Sequence, residues 1–271
     1  MKSYNPNDSF IVISILIDTI KPAIISFLSF HRSCMIKNFL VRYFPFLGKF
    51  KRYGKAWVHH MRPVKKSYSQ HGEDCIFWEF LQSYNLQGSV YVDVGANHPS
   101  DISNSYLLYR RGLNGIIVEP NQELAGLFKR FRPRDISLTI GCGNENTILP
   151  FHISKTPVLS SFADSRNIDI YKTSYLPIMR LDDAIRHLKF DFISLLSIDV
   201  EGLNYEVLQG ATQAIGRSLL LCLEYDTAEE RGRFGELLGN GFHLLQEIGC
   251  NLLFINKDLQ SKLEKKSATL P

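Results

Sequence analysis

A chain of 271 residues, of which 45% are hydrophobic and 21% are charged, can bury a sizeable core, and this composition excludes a disordered or low-complexity protein. Its formal charge of +4 is unevenly distributed, because residues 1–66 hold 12 Lys or Arg and only 2 Asp or Glu. The five cysteines have no C-x-x-C spacing, which supports neither a disulfide framework nor a zinc site, and a reducing compartment is the simplest interpretation.

Residues 1–66 form a basic arm that precedes the folded domain. Their most apolar stretch, residues 10–30, is interrupted by Asp18, Lys21 and Pro22, whereas a membrane-spanning helix needs about 20 apolar residues with few charges. The pattern fits a helix that lies in a membrane interface, or a helix that packs on the domain or on a second subunit. A spanning helix fits it less well because of these interruptions. A secretory signal peptide also fits it less well, because the start is not strongly basic and no small-residue cleavage pattern follows.

The second half of the arm, residues 31–66, is basic with interleaved aromatic side chains. This composition suits phosphate groups on lipid head groups or on nucleic acid. Nothing here resembles a nucleic-acid-binding module, so no nucleic acid is expected. We predict a cytoplasmic protein with peripheral contact to the cytoplasmic face of a membrane through residues 10–66. A plain solvated linker with local helix is the alternative.

Beyond the arm, apolar periodicity and turn residues predict alternating helices and strands. Strands are expected over residues 90–94, 115–118, 136–140, 147–153, 192–198, 219–223, 241–247 and 251–256. Helices are expected over residues 73–84, 103–111, 122–131, 181–188, 205–215 and 227–238. Residues 154–178 show no clear period and are expected to form a substrate loop. Residues 257–271 are a polar tail that is expected to fray.

This alternation predicts an α/β fold in which residues 67–256 form one doubly wound, mostly parallel sheet with helices on both faces. The last two strands are too close for a crossover connection, so they are expected to form a C-terminal antiparallel hairpin. A helical basic N-terminal arm would precede the domain.

The turn after the first predicted strand has the features of a nucleotide cradle. Gly95 ends a buried strand just before a helical pattern, and a glycine there lets the backbone approach a ligand. Glu119 ends the next strand, 26 residues after Asp93, and an acid at that place can accept hydrogen bonds from both hydroxyls of a ribose. An ordinary tight turn and a solvated strand end are the alternative interpretations of these two residues.

Several stretches resemble, in order, the FkbM family of S-adenosylmethionine-dependent methyltransferases. They are Ser69-Gln-His-Gly-Glu-Asp74, Tyr91-Val-Asp-Val-Gly-Ala-Asn97, Ser103-Asn-Ser-Tyr-Leu-Leu-Tyr109, Gly115-Ile-Ile-Val-Glu-Pro-Asn121, Leu181-Asp-Asp183, and Leu196-Ser-Ile-Asp-Val-Glu-Gly-Leu203 with Glu206-Val-Leu. The resemblance covers about residues 68–256. It implies a class I methyltransferase (Rossmann-like) fold and O-methylation of hydroxyls on sugars or natural products.

The resemblance also implies which residues contact S-adenosyl-L-methionine. Asp93, Gly95 and Asn97 would border the methionine end of the cofactor, and Glu119 would hold the ribose. In the family, the third strand usually leads to an acid near the adenine, but here it leads to Gly141-Cys-Gly-Asn144. Asn144 is the candidate that would replace this acid in adenine recognition.

Asp199 and Glu201 would lie at the end of the fourth strand and face the sulfonium and the substrate. Either carboxylate is a candidate base that removes the proton of the acceptor hydroxyl, and a helix cap or a contact to the cofactor amine is the alternative for Asp199. His98 is a further candidate base or substrate contact, although a lone loop histidine is more often structural. Two acids offer no third metal ligand, so no metal is predicted.

We therefore expect an S-adenosylmethionine-dependent O-methyltransferase that acts on a small-molecule or glycan acceptor in polysaccharide biosynthesis. A membrane-associated binding or scaffold protein with a decayed site is the alternative. A nicotinamide-dependent oxidoreductase is disfavoured, because no G-x-G-x-x-G follows the first strand.

Overall fold

The computed structural model describes residues 45–154, 160–162 and 170–268. The apolar stretch predicted at residues 10–30 therefore lies outside the described residues. The chain divides into two compact units, Met1–Lys51 and Arg52–Pro271, and the domain is contained in the second. Within the described residues, no helix is both long enough and apolar enough to cross a membrane.

The described residues alternate between strands and helices, as the sequence pattern predicts. The strands are β1 Ser89–Val94, β2 Gly115–Val118, β3 Ile136–Leu138, β4 Gly141–Cys142, β5 Thr147–Ser154, β6 Ile170–Met179, β7 Phe192–Ile198, β8 Ser218–Glu224, β9 Phe242–Ile248 and β10 Asn251–Asn256. The helices are α1 Pro45–Met61, α2 Glu73–Leu81, α3 Tyr106–Arg110, α4 Gln122–Phe131, α5 Leu181–Ile185, α6 Asn204–Gln209, α7 Thr212–Gly216, α8 Ala228–Leu238 and α9 Lys257–Ala268.

Seven strands form the main sheet, in the order β3-β2-β1-β7-β8-β10-β9. Neighbouring strands from β3 to β8 are parallel, and β10 runs antiparallel to both β8 and β9. The predicted doubly wound sheet with a C-terminal antiparallel hairpin is therefore confirmed. The strand order reverses between β1 and β7, and the crevice at such a switch point is where ligands bind in open α/β sheets.

Both faces of the sheet are covered, which is why its central strands are continuous apolar runs. Successive side chains of a strand enter two hydrophobic clusters, one on each face of the sheet. Val92 of β1 belongs to the cluster that helices α5, α6, α7 and α8 cover. Tyr91 belongs to the cluster that helices α2, α3, α4 and α9 cover. Asp93 follows this alternation on the Tyr91 side. The central strands are thereby fixed in register, and their carboxyl ends meet at one edge.

A second, three-stranded sheet has the order β4-β6-β5. Its β6 strand corrects the prediction that residues 154–178 form a loop, at least for the part that lies within the described residues. Pro177 sits inside β6, and Tyr175 is 75% exposed. The segment therefore lacks the regular alternation of a half-buried strand and contains a residue that is rare within strands.

Two helical segments also differ from the pattern. The single helix predicted over residues 205–215 is two helices, α6 and α7, that meet at Gly210. The tail predicted to fray contains α9, whose Leu259 and Leu263 pack against a core cluster. Asn256 caps that helix by accepting a hydrogen bond from the Leu259 backbone N–H at 3.1 Å.

Candidate active site

A cavity of about 420 Å³ lies at the carboxyl ends of the central strands. Its lining includes residues at or just after the ends of β1, β2, β7 and β8, together with residues from the second sheet. A cavity of this size and position is typical of a small-molecule site in a doubly wound fold.

Gly95 makes the turn after β1 possible. Its φ of +81° is unfavourable for any other residue, and a Cβ at this position would lie 1.8 Å from the Asp199 carbonyl oxygen. The Gly95 backbone N–H donates to the Val118 carbonyl oxygen at 2.9 Å. The glycine therefore brings the ends of β1, β2 and β7 together at the cavity.

Glu119 lies at the end of β2 and is only 5% exposed. Its Oε2 accepts a hydrogen bond from the Asn97 backbone N–H at 2.8 Å, and its Oε1 accepts one from Asn121 at 2.7 Å. Burial raises the pKa of this carboxyl to about 8, although both N–H donors oppose that shift. Because each carboxylate oxygen has a second lone pair, Glu119 can still accept hydrogen bonds from a ligand in the cavity that it lines.

Two carboxyl groups meet where β7 and β8 end. The parallel register pairs Ile198 with Leu223, so the next residues, Asp199 and Glu224, are neighbours and both line the cavity. Burial, followed by a hydrogen bond to Glu224 and its charge, raises the pKa of Asp199 well above its usual range. The strand register therefore places two carboxyl groups side by side in the cavity lining.

Glu201 stands at the open rim of the same cavity. Although the residue as a whole is exposed, its carboxyl has lost part of its hydration. That desolvation and the charges of Asp199 and Asp226 raise its pKa to about 7. The Glu201 carbonyl oxygen accepts a hydrogen bond from the Ser161 hydroxyl at 2.6 Å, which joins the rim to the second sheet.

Asp93, in contrast, does not line the cavity. It is 3% exposed and accepts a hydrogen bond from the Ser105 hydroxyl on the opposite face of the sheet. Burial raises its pKa to about 6, and the nearby Arg132 charge counters that rise. Asp93 thus lies beside the cradle, and its predicted contact to a cofactor stays a prediction.

His98 and Asn144 also lie away from the cavity lining. His98 Nδ1 accepts from the backbone N–H groups of Ser100 and Asp101 at 3.2 and 3.1 Å, so its Nε2 carries the proton and donates to the Arg52 carbonyl oxygen at 3.1 Å. Asn144 donates to the Gln209 side chain at 3.2 Å. Their predicted roles in base catalysis and adenine recognition stay predictions.

Gln70 and Glu224 line the cavity but are not among the candidates that the sequence pattern singles out. Gln70 is carried by a turn whose buried Asp74 accepts hydrogen bonds from the Tyr68 backbone N–H at 2.7 Å and the Ser69 hydroxyl at 2.9 Å. Glu224 ends a buried strand, as Glu119 and Asp199 do, and an acid in that position is the signal that predicts it.

The charge of the cavity restricts its ligands. Four carboxyl groups line it, from Glu119, Asp199, Glu201 and Glu224. None of the lining residues that the structure describes is a Lys, Arg or His. When they are ionised, these carboxyl groups favour a positively charged ligand and disfavour phosphates.

Comparison with known proteins assigns the domain. Residues 93–247 match the family described as the methyltransferase FkbM domain. No curated protein matches the sequence significantly.

Three solved structures are similar to the chain. Methyltransferase FkbM from Methylobacillus flagellatus KT has 14% identity and a TM-score of 0.44, and the match covers 80% of this chain and 59% of that chain. A putative RNA methyltransferase from Pyrococcus horikoshii has 12% identity and a TM-score of 0.38, and the match covers 76% of this chain and 98% of that chain. Precorrin-6y C5,15-methyltransferase from Geobacter metallireducens GS-15 has 11% identity and a TM-score of 0.35, and the match covers 72% of this chain and 92% of that chain. This chain spans less than two thirds of the Methylobacillus protein's length.

Proposed function

This chain belongs to the FkbM family of S-adenosylmethionine-dependent methyltransferases, and from that premise we propose that it methylates a hydroxyl group of a sugar or glycan intermediate in polysaccharide biosynthesis. The observation that carries the proposal is the cavity with four carboxyl groups and no basic residue in its described lining. S-adenosylmethionine bears a sulfonium and an ammonium group, which such a cavity attracts. A nicotinamide dinucleotide bears two phosphates, which it repels.

The residues present fit the cofactor. Glu119 keeps acceptor capacity on both oxygens and would take the two ribose hydroxyls. The backbone at Gly95 and Asn97 would border the methionine end, and the apolar wall formed by Leu124 and Ile140 would contact the adenine. When bound, S-adenosylmethionine supplies a methyl group that is already activated by its positively charged sulfur.

The chain's own task is then to hold the acceptor oxygen in line and to accept its proton. Glu201, whose pKa is about 7, is suited to accept a proton at neutral pH, and the Asp199–Glu224 pair lies next to it in the same lining. Gln70 and Ser160 line the cavity as well. A polar wall of this kind suits an acceptor with several hydroxyl groups, which is why we propose a sugar.

Calorimetric titration with S-adenosylmethionine and with its demethylated product tests the cofactor. We expect Glu119→Ala to weaken binding by about 1–3 kcal/mol, because ribose hydroxyls would lose buried partners. Glu123→Ala is the matched control: this acid lies on exposed α4 surface and pairs with Arg52, so binding should be unchanged.

Transfer of a labelled methyl group to free sugars and to lipid-linked glycans tests the acceptor. The product should carry the label on an oxygen, and Glu201→Gln should slow the transfer more than it weakens cofactor binding. Failure of the wild-type protein to bind either ligand would overturn the proposal and favour a membrane-associated binding protein with a decayed site.

A further inference from the structure

Helix α1 is firmly attached to the domain along one side from Arg52 onward. Ala56 on this side is fully buried. The Tyr53 ring packs edge-on against Phe131 with centroids 5.0 Å apart. His59 Nδ1 lies 2.8 Å from the Ser100 carbonyl oxygen. These contacts define the position of residues 52–61 on the domain, and therefore the direction in which the opposite side of this part of the helix faces.

That opposite side is apolar and exposed. Trp57 is 54% exposed, and Met61, one helical turn further on, is 65% exposed. Val64, just past the helix, is 38% exposed. Exposed single apolar residues are common, but a tryptophan and a methionine at i and i+4 form a continuous ridge, and large exposed apolar patches mark interaction sites.

The surroundings of this ridge are basic. Residues 19–72 contain no Asp or Glu at all. Arg62 and Lys66 are exposed at the end of the helix and just after it. Lys55 and Arg52, nearer the domain, form ion pairs with Asp101 and Glu123. An apolar centre with a rim of positive charge is complementary to a bilayer surface that contains anionic lipid.

We propose that this docking face, defined as Trp57, Met61 and Val64 with Arg62 and Lys66, binds peripherally to an anionic membrane surface. Tryptophan prefers the level of the lipid head groups, where its ring is apolar on one side and its N–H meets water. The basic side chains then contact lipid phosphates. Binding of this kind requires neither cofactor nor acceptor, so the inference is independent of the proposed methyl transfer.

The docking face is connected to the cavity through one loop. Helix α1 contacts this loop three times, at His98, Ser100 and Asp101, and the next residue, Ile102, lines the cavity. Ile102 is held at a φ of +51°, which is rare for a β-branched residue and is typical of ligand-binding segments. If the proposed transfer holds, a lipid-linked glycan is the acceptor that this connection would serve.

Tryptophan fluorescence of the full chain tests the inference directly. The protein has two tryptophans, so the difference spectrum between the wild type and Trp57→Phe isolates Trp57. We expect this component to shift to the blue with vesicles of phosphatidylcholine containing about one third phosphatidylglycerol, and to stay unchanged with phosphatidylcholine alone. The shift should shrink at high salt, because salt screens the attraction. Trp78→Phe, which leaves Trp57 as the only tryptophan, gives the same signal without subtraction.

A charge series supplies the matched control. Arg62→Gln and Lys66→Gln should each weaken vesicle binding by about fivefold, whereas Lys257→Gln and Lys262→Gln on exposed α9 should leave it unchanged. Two results would overturn the inference. One is Trp57 emission that is already blue-shifted without vesicles and does not respond to them, since another part of the chain or a second copy would then cover the face. The other is vesicle binding with no change at Trp57, since residues 1–44 alone would then bind.

Discussion

Arg132 is fully buried although it carries a charge, so its guanidinium must be satisfied inside the protein. It pairs with Asp135 at 2.7 Å and donates to the hydroxyls of Tyr91 at 2.9 Å and Ser105 at 3.0 Å. Ser105 in turn donates to Asp93. Burial raises the pKa of Asp93, and the hydrogen bond from Ser105 and the positive charge of Arg132 oppose that rise. Arg132 thus supports the end of the strand that precedes the Gly95 turn.

Replacing Arg132 with Met should lower the free energy of unfolding by about 3–5 kcal/mol, because the buried Asp135 loses its counter-charge. Urea-induced unfolding measures the change. Lys129→Met is the control: this basic residue of α4 is exposed, so we expect a loss within about 1 kcal/mol. Equal losses for the two variants would mean that the buried network contributes nothing specific.

The residues that line the cavity could be predicted from the sequence where an acid or a glycine ends a strand, as at Gly95, Glu119 and Asp199. The sheet face that the Asp93 side chain occupies is harder to predict. Side chains alternate along β1, so Asp93 shares the face of Tyr91, away from the cavity lining. Gln70 could not be assigned, because its place depends on contacts between segments that are distant in sequence.

At the scale of elements, the corner between α6 and α7 fixes part of the cavity wall. A Cβ on Gly210 would lie 2.0 Å from the Gly143 carbonyl oxygen and 3.3 Å from the Arg180 Cα. Gly143 directly follows β4, whose Gly141 and Cys142 line the cavity. The close approach requires glycine even though φ at Gly210 is −85°.

Gly210→Ala should therefore destabilise the protein by about 1–3 kcal/mol through overpacking against backbone, and it should weaken cofactor binding as β4 moves. Gly235→Ala is the control, because this glycine lies within α8 and has no atom within 4 Å of the added Cβ. That variant should be neutral or more stable by about 0.5–1 kcal/mol. Thermal unfolding and calorimetry measure both effects, and a neutral Gly210→Ala would exclude the contact with Gly143.

Most of the main sheet could be predicted because central strands that are buried on both faces are read directly from apolar runs such as Phe192–Ile198. The break at Gly210 could not, because its cause is a tertiary contact. Strand β6 and helix α9 were missed for a related reason. Helix α9 is largely polar and β6 contains Pro177, and both are held in place by tertiary contacts: β6 pairs with β5, and two leucines of α9 pack against the core.

Across the whole molecule, charge is unevenly distributed: residues 1–66 hold 12 Lys or Arg and 2 Asp or Glu, whereas four carboxyl groups and no basic side chain are found in the part of the cavity lining that the structure describes. The cavity places buried or partly buried carboxyl groups close together, and their pKa values are raised: to about 8 for Glu119, to about 7 for Glu201, and well above the usual range for Asp199. We therefore expect the protein without its ligand to hold protons in the cavity at neutral pH. A cation that enters the cavity stabilises the ionised carboxylates and lowers these pKa values.

Binding of S-adenosylmethionine should accordingly release protons at pH 7, and its affinity should rise as the pH increases from about 6 to about 8. Each proton released makes the affinity change by about tenfold per pH unit. Calorimetry in buffers of different ionisation enthalpy counts the protons, and Glu119→Gln should reduce the count because one titrating group is gone. Proton uptake on binding, or an affinity that does not change over this range, would show that the cavity carboxyl groups are already ionised and that charge attraction is not what selects the ligand.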